Sequence, residues 1–367
     1  MPAVHERPLG GALTEIRNDV WVLRAGAIAE AGGSVTLLLA VDGLNLETIV
    51  PGLDAAPGYM STRFVGIDAT GLVIPIHDPQ AEHAPPSSKR PNPPATLRAG
   101  HLVVISRAVA AEAQASPLGL EDILRALVSA SVGLGNMSRP LGRIAEVVSE
   151  CHVAHLGVAS TVTVDELMSM ARGRVSETGL VVDESPLSSK ARHRSEHEPA
   201  EGSTPARPLY FRGPALDEIE LSDGSSAVLQ GAVTTPLLHV LSAGVARAWN
   251  GADGVERTRL GGPDSVVNTL RELGLLDSLP SWRIADDVAW VGDDARTTVL
   301  SPDGVSPLAL AGSSHVVWSI LVDLRAVRQD VLVDSCARVF EADAREIEGP
   351  IEALLYDLWT RGLLVRI

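Results

Sequence analysis

The feature that most constrains the fold is an approximate internal repeat in the C-terminal half of the 367-residue chain. Leu241-SAGVARA-Trp249 and Leu310-AGSSHVV-Trp318 each set a leucine eight residues ahead of a tryptophan, and each follows a Pro-Leu pair, Pro236-Leu237 and Pro307-Leu308. The two units close alike, on Leu270-RELGLL and Leu358-WTRGLL. Self-similarity of this length marks a supersecondary unit used twice. It predicts two copies of a strand cluster followed by helices, the first shorter in its middle and the more degenerate.

Asp183 to Arg207 (DESPLSSKARHRSEHEPAEGSTPAR) carries no apolar periodicity and reads as a flexible linker. Asp78 to Pro94 is also polar, but apolar segments resume on both sides, so it reads as a surface loop. The expected organisation is an α/β domain at 1–182, a linker at 183–207, a first module at 208–280 and a second at 281–367.

The formal charge of -16 opposes non-specific binding to phosphate backbones and anionic lipid, so neither nucleic acid nor membrane is expected as a partner. The two cysteines, Cys151 and Cys336, fall in different expected domains without metal-ligand spacing and read as buried, reduced thiols. The longest apolar run, Val35 to Val41, is too short to span a bilayer, and the first residues lack the pattern of a secretory signal, so a cytoplasmic protein is expected. Lys89 and Lys190 are the only lysines, a composition that reflects a GC-rich genome more than a mechanism.

In the second module, Val288 to Val291, Thr297 to Leu300 and Val305 to Leu310 are separated by Gly292-Asp293-Asp294 and Pro302-Asp303-Gly304. That pattern predicts a three-stranded antiparallel sheet, then three helices. Asp343 and Glu346 predict a capping box for the last helix. Its apolar stripe is Ile347, Ile351, Leu354, Leu355 and Leu358, and Gly362 suits its C-terminal cap. Pro350 predicts a kink or break within it.

The Leu310–Trp318 spacing, Phe340-EADAREIE and the Leu354-Leu355-x-x-Leu358-x-x-x-Gly362-Leu363-Leu364 ending resemble PqqD-like proteins, recognition elements of ribosomally made, modified peptide pathways. The resemblance implies an α+β winged-helix-like fold and a precursor's leader peptide that adds as a strand and packs against the last helix. By position it implies a groove lined by Thr297, Leu300, Val305 and Leu310 of the sheet with Leu354, Leu358 and Arg361 of the helix. A plain hydrophobic core is the competing reading for the leucines. The helices carry too few basic residues for a DNA reader, although a winged-helix regulator remains an alternative.

In the N-terminal half, Val20 to Leu23, Ser34 to Ala40, Arg63 to Ile67, Leu72 to Ile76 and Leu102 to Ile105 read as strands. Ala110 to Ala130 and Leu141 to Cys151 read as helices, and the interleaving favours an α/β layer. The stretch from Val20 to Pro51 resembles the P-loop domain of HPr-kinase-like proteins. Across Ala40-Val41-Asp42-Gly43-Leu44-Asn45-Leu46-Glu47-Thr48, however, Gly43 and Thr48 survive while Leu46 holds the lysine position. Without that ammonium, and with Asp42 and Glu47 adding negative charge, the loop is degenerate as a phosphate cradle. Thr62 and Arg63 stand where the family has acidic residues. Arg24 replaces the family's histidine before Ala-Gly.

A plain strand-to-helix turn is one alternative for this stretch. Another is an atypical phosphotransferase using Asp42, Glu47 or Asp68 in unorthodox roles. His77, His101, His152 and His155 read as surface or satisfied core histidines, without the carboxylate spacing of a metal site. The expected function is therefore a non-catalytic peptide-binding scaffold, with no cofactor, whose partners are a leader peptide and its modifying enzymes.

Overall fold

The structure, a computed structural model, describes residues 20–30, 32–61, 63–68, 70–76, 96–108, 114–116, 118–173, 209–232, 235–300 and 307–367. The expected linker, the loop at 78–94, His77, Thr62, Val305 and the Pro302-Asp303-Gly304 turn lie outside the described residues. The chain divides into two compact units, Met1–Leu180 and Val181–Ile367.

The first unit contains β1 (Trp21–Leu23), β2 (Gly26–Ala29), β3 (Ser34–Ala40), β4 (Tyr59–Ser61), β5 (Val65–Ile67), β6 (Val73–Pro75), β7 (Arg98–Arg107), β8 (Gln114–Ser116), β9 (Ser131–Val132) and β10 (His152–Val158). They form a sheet ordered β6-β5-β1-β9 and a larger one ordered β4-β2-β3-β7-β10-β8. In the larger sheet β3, β7 and β10 run parallel. Parallel strands are buried on both faces, which is why β3 reads as an almost unbroken apolar run.

The helices are α1 (Leu46–Ile49), α2 (Leu120–Ala130), α3 (Pro140–Glu150) and α4 (Val164–Gly173). Helix α2 contacts β3, and α3 contacts β7. The helix expected from Ala110 begins only at Leu120, after the N-cap Gly119, because residues Gln114–Ser116 pair with β10 instead. Edge pairing there overrides the helical propensity of an alanine-rich stretch.

In the second unit the first repeat contains β11 (Leu209–Arg212), β12 (Ala215–Glu220), β13 (Ser226–Ala232), β14 (Thr235–Leu241), α5 (Ala243–Asn250), β15 (Asp253–Glu256), α6 (Asp264–Glu272) and β16 (Leu276–Asp277). The second contains β17 (Ser281–Ile284), β18 (Ala289–Gly292), β19 (Arg296–Leu300), β20 (Pro307–Ala311), α7 (Ser313–Leu324), β21 (Ala326–Arg328), α8 (Gln329–Phe340), α9 (Ala344–Thr360) and β22 (Leu364–Arg366). Sheets β15-β11-β16 and β12-β13-β14 recur as β21-β17-β22 and β18-β19-β20. Helix α8 is the difference: its place in the first repeat is taken by the short 3-10 turn Arg257–Arg259.

The equivalence extends to the caps. Gly274 and Gly362 are both left-handed, at φ 70° and 71°. Leu275 N–H donates to the Leu270 carbonyl at 2.8 Å, as Leu363 N–H does to Leu358 at 2.9 Å. This six-to-one bond defines a Schellman ending, and the leucine after each glycine is buried by it.

Two expectations for α9 change. The Asp343 carboxylate accepts from the Arg345 amide at 2.9 Å rather than from that of Glu346, so it forms a simple N-cap instead of a box. Pro350 does not break the helix, which runs on to Thr360. A mid-helix proline costs ~3 kcal/mol. Burial of Ile351, Leu355 and Leu358 beyond it contributes ~1.5–3 kcal/mol each, which is enough to hold the last turns.

Candidate functional site

The turn after β3 is tied to the sheet by the Val41 amide, which donates to the Ile105 carbonyl at 2.9 Å. Asp42 and Gly43 are both left-handed, at φ 59° and 69°. Past the turn the geometry of a phosphate cradle is absent. Asn45 Oδ1 accepts from the Glu47 amide at 2.9 Å, taking a donor that a phosphate would need. Helix α1 is a single turn, with little dipole to offer an anion. Leu46, in the lysine position, points into a core of Ile28, Leu38, Ile49 and Val103. It lies so close to Gly26 that a Cβ there would displace the tip of its side chain.

Thr48 is exposed. Arg63 Nε lies 3.7 Å from Glu47 Oε1, an exposed ion pair that joins the turn after β3 to the segment before β5. Asp68 is occupied in a turn, accepting from the Thr70 and Leu72 amides.

Further along the same sheet, Ser106 Oγ and His155 Nε2 are 2.8 Å apart. Strand β10 pairs in parallel with β7 so that His155 lies opposite Val104 and Gly157 opposite Ser106, which puts the two side chains on one face as diagonal neighbours. Burial holds the His155 imidazole below its ordinary value, against the opposing pull of Asp122 and Asp42. The His101 and His152 rings meet at the other end of these strands, tilted by 33° with centroids 5.4 Å apart.

Among the described residues no cluster of three or more histidines, cysteines and carboxylates forms a metal site. Cys336 is buried and Cys151 partly so, and burial raises their thiols to about 11 and about 12. Neither is a thiolate near neutrality.

The groove residues of the second repeat separate into core and surface. Thr297 and Leu310 are buried, and Leu358 is 0% exposed. Strand β19 is paired on both sides, by β18 and by β20, so Thr297 to Leu300 offers no free edge. The Thr297 hydroxyl is hydrogen-bonded to His315 Nδ1 at 2.9 Å. Leu300 is 40% exposed. Arg361 is exposed and bound to Asp357 one turn back, at 2.9 Å. Leu354 is partly buried and packs against the core.

The edges of this sheet are β18 and β20. Leu308 on β20 is partly buried against the same core as Leu354. Sequence reasoning overlooked it, although the repeated Pro-Leu pair marked the position. Trp290 on β18 was overlooked as well; it meets Trp318 edge-on with centroids 6.0 Å apart. Its sign was a tryptophan on a short strand beside a tight turn.

No family model matches the chain, and no curated protein matches it. Among solved structures, "TbiB1 in Complex with the TbiA(beta) Leader Peptide" is similar over 22% of this chain and 93% of that one, at 22% identity and a TM-score of 0.21. No helix among the described residues is long and apolar enough to cross a membrane, a finding that says nothing of strands.

Proposed function

We propose that the chain binds the leader segment of a precursor peptide in a ribosomal modified-peptide pathway, by strand addition at the free edge of β20, and presents it to modifying enzymes. The observation that carries this reading is the position of β20 at the edge of its sheet, with Leu308 and Leu354 partly buried on one formed core beside it. An extended peptide gains main-chain hydrogen bonds from such an edge, and its alternate side chains gain specificity from the apolar positions flanking it. The leader class comes from the PqqD-like sequence pattern. The packing of Leu46 in the core and the Asn45 cap on the Glu47 amide favour this reading over phosphoryl transfer.

The test is fluorescence anisotropy with labelled short peptides encoded beside the gene, titrated with the full-length chain. Leu354→Glu places a carboxylate at a partly exposed position that also packs on the core, and is expected to weaken binding at least about tenfold, or ~1.4 kcal/mol, with some loss of melting temperature but an unchanged far-UV circular dichroism spectrum. Leu358→Glu would be uninformative because that side chain is core. Equal affinity for wild type and Leu354→Glu would remove the groove.

A further inference from the structure

The parallel sheet of the first unit gathers reactive groups where α/β folds place their ligands, at the carboxyl ends of the strands. Ser106 is the penultimate residue of β7, and His155 reaches it from β10 at 2.8 Å. Pairing of Ala40 with Ile105, continued by the Val41 amide on the Ile105 carbonyl, brings the Asp42 turn beside Ser106. Asp122, the third residue of α2, and Asp42 both act electrostatically on His155. Glu121 and Asp122 make the first turn of α2 acidic, which sets a negative field on this side of His155.

We propose that Ser106 and His155 are the nucleophile and general base of a hydrolytic site for uncharged or cationic acyl esters and amides. Its evidence is independent of the peptide groove in the second unit. With the Nδ1–H tautomer, Ser106 Oγ–H donates to His155 Nε2. Oγ then attacks the acyl carbon as its proton passes to Nε2. The tetrahedral intermediate expels the alcohol or amine, which takes that proton from the imidazolium. Water, deprotonated in turn by Nε2, attacks the acyl-serine and releases the carboxylic acid, while Oγ recovers its proton from the imidazolium.

Two features of the surroundings suit this chemistry. Burial favours a neutral imidazole near pH 7, which can accept a proton, and the carboxylates of Asp122 and Asp42 stabilise the imidazolium once it forms. The same carboxylates repel anionic substrates, so nucleotides and acyl phosphates are disfavoured.

The experiment is covalent labelling of the full-length chain with a fluorophosphonate, followed by intact mass and peptide mapping. A single adduct on Ser106 is expected. Ser106→Ala is expected to abolish it, and His155→Gln to slow it by about 10²–10⁴-fold. The labelling rate is expected to rise with pH through the His155 titration and then level off. Asp122→Asn, at a positioning residue, and Asp42→Asn each remove a charge that raises the imidazole's affinity for protons, so both are expected to move the midpoint to lower pH. No adduct on Ser106 in the wild-type chain, an adduct on another serine, or an Ser106 rate unaffected by His155→Gln overturns the proposal. Mapping on the wild-type chain decides even if a variant fails to fold.

Discussion

The two repeats of the second unit share strand order, a buried tryptophan on the first helix and a Schellman ending, yet they expose different surfaces. In the first, Ala227, Val228 and Leu229 in the middle of β13 are all fully buried, so this strand is covered on both faces, while Leu237 on β14 is exposed. In the second, Val291 is 73% exposed and Leu300, Pro307 and Ala309 are exposed, so the outer face is open. The second also keeps the helix that the first replaces with a 3-10 turn. One architecture thus has a fully buried central strand in one copy and an open outer face in the other. That open face mixes Val291, Leu300, Pro307 and Ala309 with Arg296 and Thr298, and its exposed apolar positions suit an interaction surface.

If the copies are truly equivalent, truncating matched core residues should cost similar amounts. Leu270→Ala and Leu358→Ala remove side chains that are both 0% exposed, and each is expected to destabilise the chain by ~2–5 kcal/mol in urea denaturation. A cost well under 1 kcal/mol at Leu358 would return that residue to the peptide groove and break the equivalence.

The tryptophans sharpen the contrast. Trp249 Nε1 donates to the Leu275 carbonyl at 2.9 Å and lies under the Arg212 guanidinium, 5.1 Å from the ring centroid. Trp318 Nε1 is buried without a hydrogen-bond partner among the described residues. Trp249→Phe should therefore cost ~1 kcal/mol or more beyond Trp318→Phe, since one loses a bond and the other removes an unsatisfied donor. Equal losses in denaturant would contradict the hydrogen-bond assignment.

The smallest effect concerns the join between the copies. Arg328, before α8, binds Asp277 of the first repeat at 2.8 Å and also binds Asp330. Its guanidinium holds the Asp330 carboxyl below the usual 3.8, partly offset by burial. A depressed folded value means that this contribution is complete above the unfolded value and fades as pH falls through the folded one. Arg328→Met is expected to flatten the fall in melting temperature between about pH 5 and 3, by less than ~1 kcal/mol because the groups are half-exposed. An acid limb as steep as that of wild type would assign the loss to other carboxylates.

Much of the fold could be read from local pattern. β3 needs only its run of apolar residues, α9 its capping aspartate and stripe, and the repeat its tryptophan spacing. Long-range pairing was not legible. β17, β21 and β22 are short pieces that become a sheet only when residues far apart in the chain meet, and β10 is not among the strands that local pattern predicts. The groove was half legible, because an amphipathic stripe names a buried face without saying whether protein or ligand covers it. Leu358 and Leu354 share that stripe, and only packing separates core from partly exposed surface. The Ser106–His155 pair was invisible, since nothing in 48 intervening residues links them before β7 and β10 lie side by side.

The most direct test of the central claim is amide hydrogen exchange on the full-length chain with and without the peptide that binds in the anisotropy titration. New protection confined to Leu308–Leu310 and the neighbouring part of α9 is expected, since an added strand satisfies outward amides of β20 other than that of Ala311, which Ser314 Oγ already binds, and covers Leu354. Protection on β12 to β14, or on β18 with β20 unchanged, would contradict strand addition at this edge.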